Sequence, residues 1–351
     1  MKWSDLKYLA AYCFPLVAIA GFLAGGIFYW ATPVFAFVLV PILEITFPVD
    51  AKNLDNEDKE QRKAHWFFDL LLYLNLPLIY GLLGYSLWML TVSDLSVAEI
   101  GGIIFSCGFV MGSNGINVAH ELGHRQDRFS RTMAKILLLP SLYTHFYIEH
   151  NFGHHLNAAT PEDPATARLN QTVYSFWFTS VIRQYFSAWR IQLRLLKNEG
   201  NAFFSVKNDM LWGGIVQVCY LVLVGFIFEP YTAFYALAIA VVSFVLLESI
   251  NYIEHYGLLR TKLDSGRYER VKAIHSWNSN HIMGRIMLYE LTRHSDHHYR
   301  ASKKYQLLDN HLESPQMPYG YPTSMVLSLC PPLWFYIMNK RIPEAMKVDP
   351  A

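Results

Sequence analysis

The sequence predicts an all-α integral membrane protein: a six-transmembrane-helix bundle under a helical cap that holds most of its histidines. Three observations predict this. Only 16% of the 351 residues are charged and 53% are hydrophobic, where a soluble domain carries roughly 25% charge. The apolar residues gather into six runs long enough, at roughly 20 residues each, to cross a bilayer as helices. All 29 lysines and arginines fall at positions 2–7, 52–63, 125–207 and 260–347. With six spans, every basic block lies on one side, and the opposite side keeps only tight turns. A seventh span would split the basic residues between both faces. The positive-inside rule then makes the charged side, with both termini, cytoplasmic. No internal repeat appears, so residues 1–351 read as a single membrane domain.

Taken in order, Tyr8 to Leu43 contains no charged residue and is too long for one span. Trp30-Ala31-Thr32-Pro33 offers a break, giving a hairpin of helices at about 8–29 and 32–48. Residues 50–64 are a solvated loop. The third span is 66–92, with Pro77 as a kink, and the fourth is 97–119, running into His120. Met133 to Ile148 is short for a span and predicts a re-entrant or interfacial helix. Residues 156–210 are amphipathic, with Thr160-Pro161-Glu162-Asp163-Pro164 as a loop. Spans five and six are 211–228 and 231–250, joined at Glu229-Pro230. Tyr321 to Met338 is apolar but holds Pro322, Pro331 and Pro332, so it is expected to dock against the protein without spanning. Cys13, Cys107, Cys219 and Cys330 form no Cys-x-x-Cys pair and read as packed free thiols.

The histidines carry the chemistry. His120 and His124 follow span four; His150, His154 and His155 follow the short helix; His255 ends span six; His294, His297 and His298 lie in the last polar block. On the six-span topology all nine meet at the cytoplasmic face. The i,i+4 spacing places His150 and His154 on one helical face. Buried neutral imidazoles each need a partner and protonated ones repel; a shared metal removes both problems. Nine nitrogens exceed what one ion takes, so the pattern predicts a dinuclear metal site, for which imidazole admits Zn, Cu, Fe or Ni. Four plus five ligands would leave open positions, which favours catalysis over a closed structural site. Glu121, Glu149, Glu254 and Asp296 are candidates to accept the second ring N–H of a ligand. His65 reads as interfacial, His145 lacks a partner pattern, His275 and His281 are loop residues, and His311 reads as surface.

Two rival readings are weaker. His120-Glu121-Leu122-Gly123-His124 matches the zinc-protease motif, with Glu121 as base, but leaves seven clustered histidines unused. A non-catalytic metal carrier would place ionisable groups near the bilayer midplane, whereas these gather at one face.

The boxes His-Glu-Leu-Gly-His at 120–124, Glu-His-Asn-Phe-Gly-His-His at 149–155, Asn-Tyr-Ile-Glu-His-Tyr-Gly at 251–257 and Arg-His-Ser-Asp-His-His at 293–298 resemble those of membrane-bound alkane 1-monooxygenases. The first, second and fourth belong to the wider class of membrane fatty-acid desaturases and hydroxylases, whose acyl-chain chemistry is the alternative activity. The third box, with Ser-Trp-Asn-Ser-Asn-His at 276–281, resembles the alkane enzymes in particular. The resemblance implies a non-haem di-iron cofactor (two Fe ions) held by those nine histidines, and terminal hydroxylation of medium-chain n-alkanes with O₂. It also implies electrons from rubredoxin, reduced by an NAD(P)H-dependent reductase, in a bacterial inner membrane. With no Cys-x-x-Cys pair here, the rubredoxin is expected as a separate protein or domain. The basic residues Arg260, Lys262, Arg267, Arg270 and Lys272 are a candidate docking surface for it. No nucleic-acid partner is expected.

Overall fold

A computed structural model describes residues 2–347. Six helices are long and apolar enough to cross a membrane: α1 (Trp3–Ala24), α2 (Gly26–Thr46), α3 (Trp66–Val92), α4 (Val97–Gly123) and, later in the chain, Asp209–Ile227 and Thr232–His255. Between the fourth and fifth lie α5 (Arg128–Leu138), a composite helix α6 (Phe146–Glu149, His150–His154 and His155–Asn157) and α7 (Val173–Asn198). The last two spans are α8 and α9. Residues 50–64, expected as a loop, contain a short helix at Asn56–Lys63, capped by Asp55 accepting from the Asp58 N–H; the remaining cap helices are α10 (Ile282–Met287), α11 (His294–Tyr299), α12 (Tyr321–Ser328) and α13 (Pro331–Met338). Among the described residues there is no strand beyond isolated bridges such as Asn278 with Gln316.

The α1–α2 turn is not at Trp30–Pro33. It falls at Gly25 and Gly26, with φ of 75° and 60°, a region glycine enters without the Cβ penalty. Pro33 lies inside α2 and is followed by a π turn at Phe35–Leu39. In α3 the interruption comes at Leu74; Pro77, which has no N–H, leaves the Tyr73 carbonyl without its helical donor.

α4 and α9 form the centre of the bundle. A Cβ on Gly108 would lie 2.6 Å from Val242 Cβ, and one on Gly112 would lie 2.7 Å from Leu246 Cδ2. The two glycines, one turn apart, let the helices touch along their backbones. Both helices outrun their apolar segments, to Gly123 and His255, and this extension carries His120, Glu254 and His255 into the cap. α8 lies at the periphery, with Val218, Val222 and Phe226 facing outward, as a lipid-contacting helix requires.

The stretch Met133–Ile148 is two helices, not one. Pro140 and a left-handed Leu142 (φ 49°) break it between α5 and α6. α12 and α13 dock as expected, burying Tyr321, Trp334 and Met338. α11 is presented by a loop with Tyr289 and Glu290 at φ 52° and 56°. Glu290 is buried there, accepting from Arg285 Nε (2.6 Å) and Tyr8 hydroxyl (2.7 Å). Arg293 beside it donates to the Leu308 carbonyl (2.6 Å) and the Lys52 carbonyl (2.7 Å). This ionic knot fixes the first residue of α11.

Candidate metal centre

α4 delivers His120 from its last turn and His124 from its C-cap, after a π turn at Met111–Ile116. The end of α9 delivers His255, and α11 delivers His294, His297 and His298. α6 does not follow the expected i,i+4 pairing. Its residues His150–His154 form a π turn, and the wider turn brings residues five apart into line. His155 Nε2 therefore lies 3.0 Å from His150 Nε2, while His154 Nε2 turns the other way, 3.2 Å from His298 Nε2.

The nine rings separate into two sets, each with its ligand atoms within 4.8 Å of one another: His120, His124, His150, His155 and His297 in one, His154, His255, His294 and His298 in the other. Every expected ligand histidine is in one of them; His145, His275, His281 and His311 are in neither.

The donor set fits a metal. His150 Nε2 meets His124 Nε2 at 3.1 Å and His155 Nε2 at 3.0 Å, and His297 Nε2 meets His120 Nε2 at 2.9 Å and His155 Nε2 at 3.1 Å. A neutral imidazole nitrogen either donates or accepts, so such a ring of nitrogen contacts is resolved by a cation that all the lone pairs address. Six of the rings are pushed toward the neutral form a metal needs. Burial, then the charge of neighbouring imidazoles, holds His150, His155, His294, His297 and His298 well below the usual histidine range, and His124 at about 3.

The four carboxylates expected behind the rings are placed otherwise. Glu121 accepts from Arg125 Nη2 (2.7 Å) and the Tyr305 N–H (3.3 Å). Asp296 accepts from Lys303 Nζ (2.6 Å), the Asp309 N–H (2.7 Å) and His311 Nε2 (2.7 Å). It thus ties down the loop after α11, and His311 is half-buried in that tie instead of lying at the surface. Glu149 is buried with neither oxygen hydrogen-bonded. Burial, then the charges of Asp163 and Glu248, raises it well above the usual carboxylate range. Glu254 does reach a ring, but at the ligand nitrogen: its Oε2 is 3.3 Å from His294 Nε2, while its Oε1 accepts from the Tyr321 hydroxyl at 2.7 Å.

Asp163 takes the role expected of those four. Its Oδ2 accepts from His154 Nδ1 at 2.9 Å and from the Thr166 hydroxyl at 2.6 Å, and Oδ1 accepts from the Ala165 N–H at 3.2 Å. This places the His154 proton on Nδ1 and leaves Nε2 free as a ligand. The sequence signal was slight: an acid between two prolines, nine residues after His154.

A cavity of about 20 Å³ joins the two sets, lined by His120 and His150 from one, His294 from the other, and Glu254. Phe146, Leu247 and Ile250 supply its apolar wall. That volume holds roughly one water-sized molecule.

The sequence has known relatives. The family described as fatty acid desaturase matches residues 96–326, a stretch that contains all nine histidines. That match defines the wider class: the membrane fatty-acid desaturases. An alkane 1-monooxygenase of Ectopseudomonas oleovorans is 36% identical over 317 residues, 90% of this chain and 79% of that protein. Alkane 1-monooxygenase 2 of Pseudomonas aeruginosa is 36% identical over 316 residues, 89% of this chain and 84% of that protein. An alkane 1-monooxygenase of Acinetobacter baylyi is 37% identical over 347 residues, 95% of this chain and 84% of that protein. The chain belongs to the alkane 1-monooxygenases, and it is a membrane oxidoreductase.

Proposed function

We propose that this protein hydroxylates the terminal carbon of medium-chain n-alkanes to primary alcohols, using O₂ and electrons from rubredoxin at two non-haem iron ions. The observation that carries the reading is the division of nine imidazoles into sets of five and four, with one small cavity touching both. His120, His124, His150, His155 and His297 would hold one ion; His154, His255, His294 and His298 would hold the other. When bound, the iron pair supplies the redox chemistry that splits O₂ and oxidises the C–H bond.

The side chains do the rest. An alkane has no polar handle, so binding rests on burying CH₂ groups at about 0.8 kcal/mol each. A groove of about 490 Å³ on the side of the bundle, with Phe105, Phe109, Val242, Leu246 and Met325 among its walls, has the apolar lining such a substrate needs. Phe146, Leu247 and Ile250 keep the cavity narrow, which favours a chain end over a chain middle and excludes bulk water. Glu254 lines the cavity and is the side chain placed to handle a proton there through Oε2, while Tyr321 fixes the other oxygen.

The basic residues on the histidine side support a cytoplasmic cap in a bacterial inner membrane. Residues 2–347 contain no Cys-x-x-Cys pair, so the rubredoxin iron is held elsewhere and its electrons arrive through the cap. The test is turnover of iron-loaded protein with octane, ¹⁸O₂, rubredoxin and its NAD(P)H-dependent reductase, read by gas chromatography and mass spectrometry. Octan-1-ol with one ¹⁸O is the expected product. A modified acyl lipid with no alcohol would assign the desaturase activity instead, and metal retention without O₂ uptake would leave a carrier.

A further inference from the structure

A second cleft lies away from the histidines, where α5, α6, α7 and the start of α8 meet. Its volume is about 500 Å³. Arg128, Arg131, Lys135 and Lys207 line it, against only Glu199 and Asp209. Lys135 is paired with Asp209 at 2.6 Å and Lys207 with Glu199 at 2.9 Å. The two arginines have no acidic partner among the described residues, so the cleft keeps two uncompensated positive charges.

Gln192 supplies a second, independent signal. Its side chain is 2% exposed and lines the cleft. Nε2 donates to the Lys207 carbonyl at 3.1 Å, but Oε1 is buried with no hydrogen-bond partner. An unpaired buried acceptor costs about 1–3 kcal/mol, and a ligand hydroxyl in the cleft would relieve it.

The cleft also has a tail. It shares Lys135, Tyr147 and Asp209 with an adjoining groove of about 190 Å³, whose other walls include Ile136, Leu139 and Val216. That groove runs along the first turns of the membrane helix α8. Trp212 lies there, its indole N–H on the Ser205 carbonyl at 3.1 Å, a residue type that marks headgroup depth. A basic, hydroxyl-seeking cleft that opens into an apolar groove at the membrane surface matches an amphiphile with an anionic head and an acyl tail.

We propose that this is a binding site for one anionic glycerophospholipid with a hydroxylated head group, of the phosphatidylglycerol kind. The phosphate sits on Arg128 and Arg131, the glycerol hydroxyl on Gln192 Oε1, and an acyl chain in the groove beside α8. Because Tyr147 and Phe152 of α6 form one wall, the lipid clamps the helix that carries His150, His154 and His155 against α5 and α7.

The experiment is native mass spectrometry of the full-length, iron-loaded protein, released from nanodiscs of equal phosphatidylglycerol and phosphatidylcholine, with thermal midpoints measured in parallel. One phosphatidylglycerol is expected to be retained in preference to phosphatidylcholine. Each arginine contributes about fivefold to that preference, so R128A/R131A should lose about 25-fold. In nanodiscs of equal phosphatidylglycerol and phosphatidic acid, Gln192→Leu should reduce the preference for phosphatidylglycerol, and Val216→Trp should weaken retention by filling the groove. Equal retention of both lipids, or a preference unchanged in R128A/R131A, would overturn the site. So would inorganic phosphate raising the thermal midpoint of delipidated protein as much as the lipid does, since that would assign a free anion.

Discussion

Asp163→Asn tests how the four-histidine set is held. The wild-type carboxylate is fully buried, receives the His154 Nδ1 proton at 2.9 Å, and is itself fixed by Thr166 and the Ala165 N–H. Asparagine keeps the shape and one acceptor but removes the charge that makes Nε2 a stronger donor. Outer carboxylates of this kind are worth about 10–100-fold in metal affinity, or about 1.4–2.7 kcal/mol. The loss should be confined to one ion, because Asp163 touches none of the five rings in the other set. The assay is iron retained per chain against a graded chelator challenge, with the thermal midpoint as a folding control. Wild type should lose both ions over a similar range, whereas Asp163→Asn should lose one of the two at about 10–100-fold lower chelator activity. Equal retention by both proteins would refute the role given to Asp163. Loss of both ions together would refute the separation into two sets.

Further outcomes follow from the packing and from the site. Glu290→Gln breaks the knot that presents α11 and should cost about 3 kcal/mol, seen as a lower thermal midpoint; an unchanged midpoint would contradict it. Burial alone would raise the Glu290 carboxyl, but Arg285, Lys7 and Arg293 outweigh it and hold it at about 2. A folded value below the unfolded one, about 4.3, gives stability that is complete above the unfolded value and is lost as pH falls toward about 2. Acid unfolding should therefore steepen in wild type between those values and less so in Glu290→Gln. Gly108→Ala puts a methyl 2.6 Å from Val242 Cβ and should destabilise by about 1–3 kcal/mol. Gly84→Ala, whose Cβ meets nothing within 4 Å, should leave the thermal midpoint in place. Glu254→Gln should slow alkane turnover by about a hundredfold with both metals retained; full activity would remove Glu254 from proton handling.

The parts of this molecule that were readable in its sequence are those set by local pattern. Hydropathy and the segregation of lysine and arginine gave the spans, because lipid tolerates little else. Histidine spacing pointed to the nine rings that gather into two sets, because nine imidazoles brought to one membrane face lack partners when neutral and repel when charged unless metal binds them. What escaped depends on backbone register and on contacts across the chain. The π turn at His150–His154 exchanges the partners of His154 and His155, and nothing in the side-chain types announces that hydrogen-bond shift. Asp296 sits among the ligand histidines in sequence but faces Lys303 and His311, while Asp163 looks like a loop residue yet supports His154. The hairpin turn chose Gly25 and Gly26 over Pro33, since a left-handed pair reverses the chain and proline can be absorbed within a helix.

The most direct test of the account is a Mössbauer spectrum of the reduced protein loaded with ⁵⁷Fe. Sets of five and four imidazoles predict two iron ions per chain and two ferrous quadrupole doublets of equal area. One ion per chain with a single doublet would contradict the dinuclear centre on which the proposed function rests.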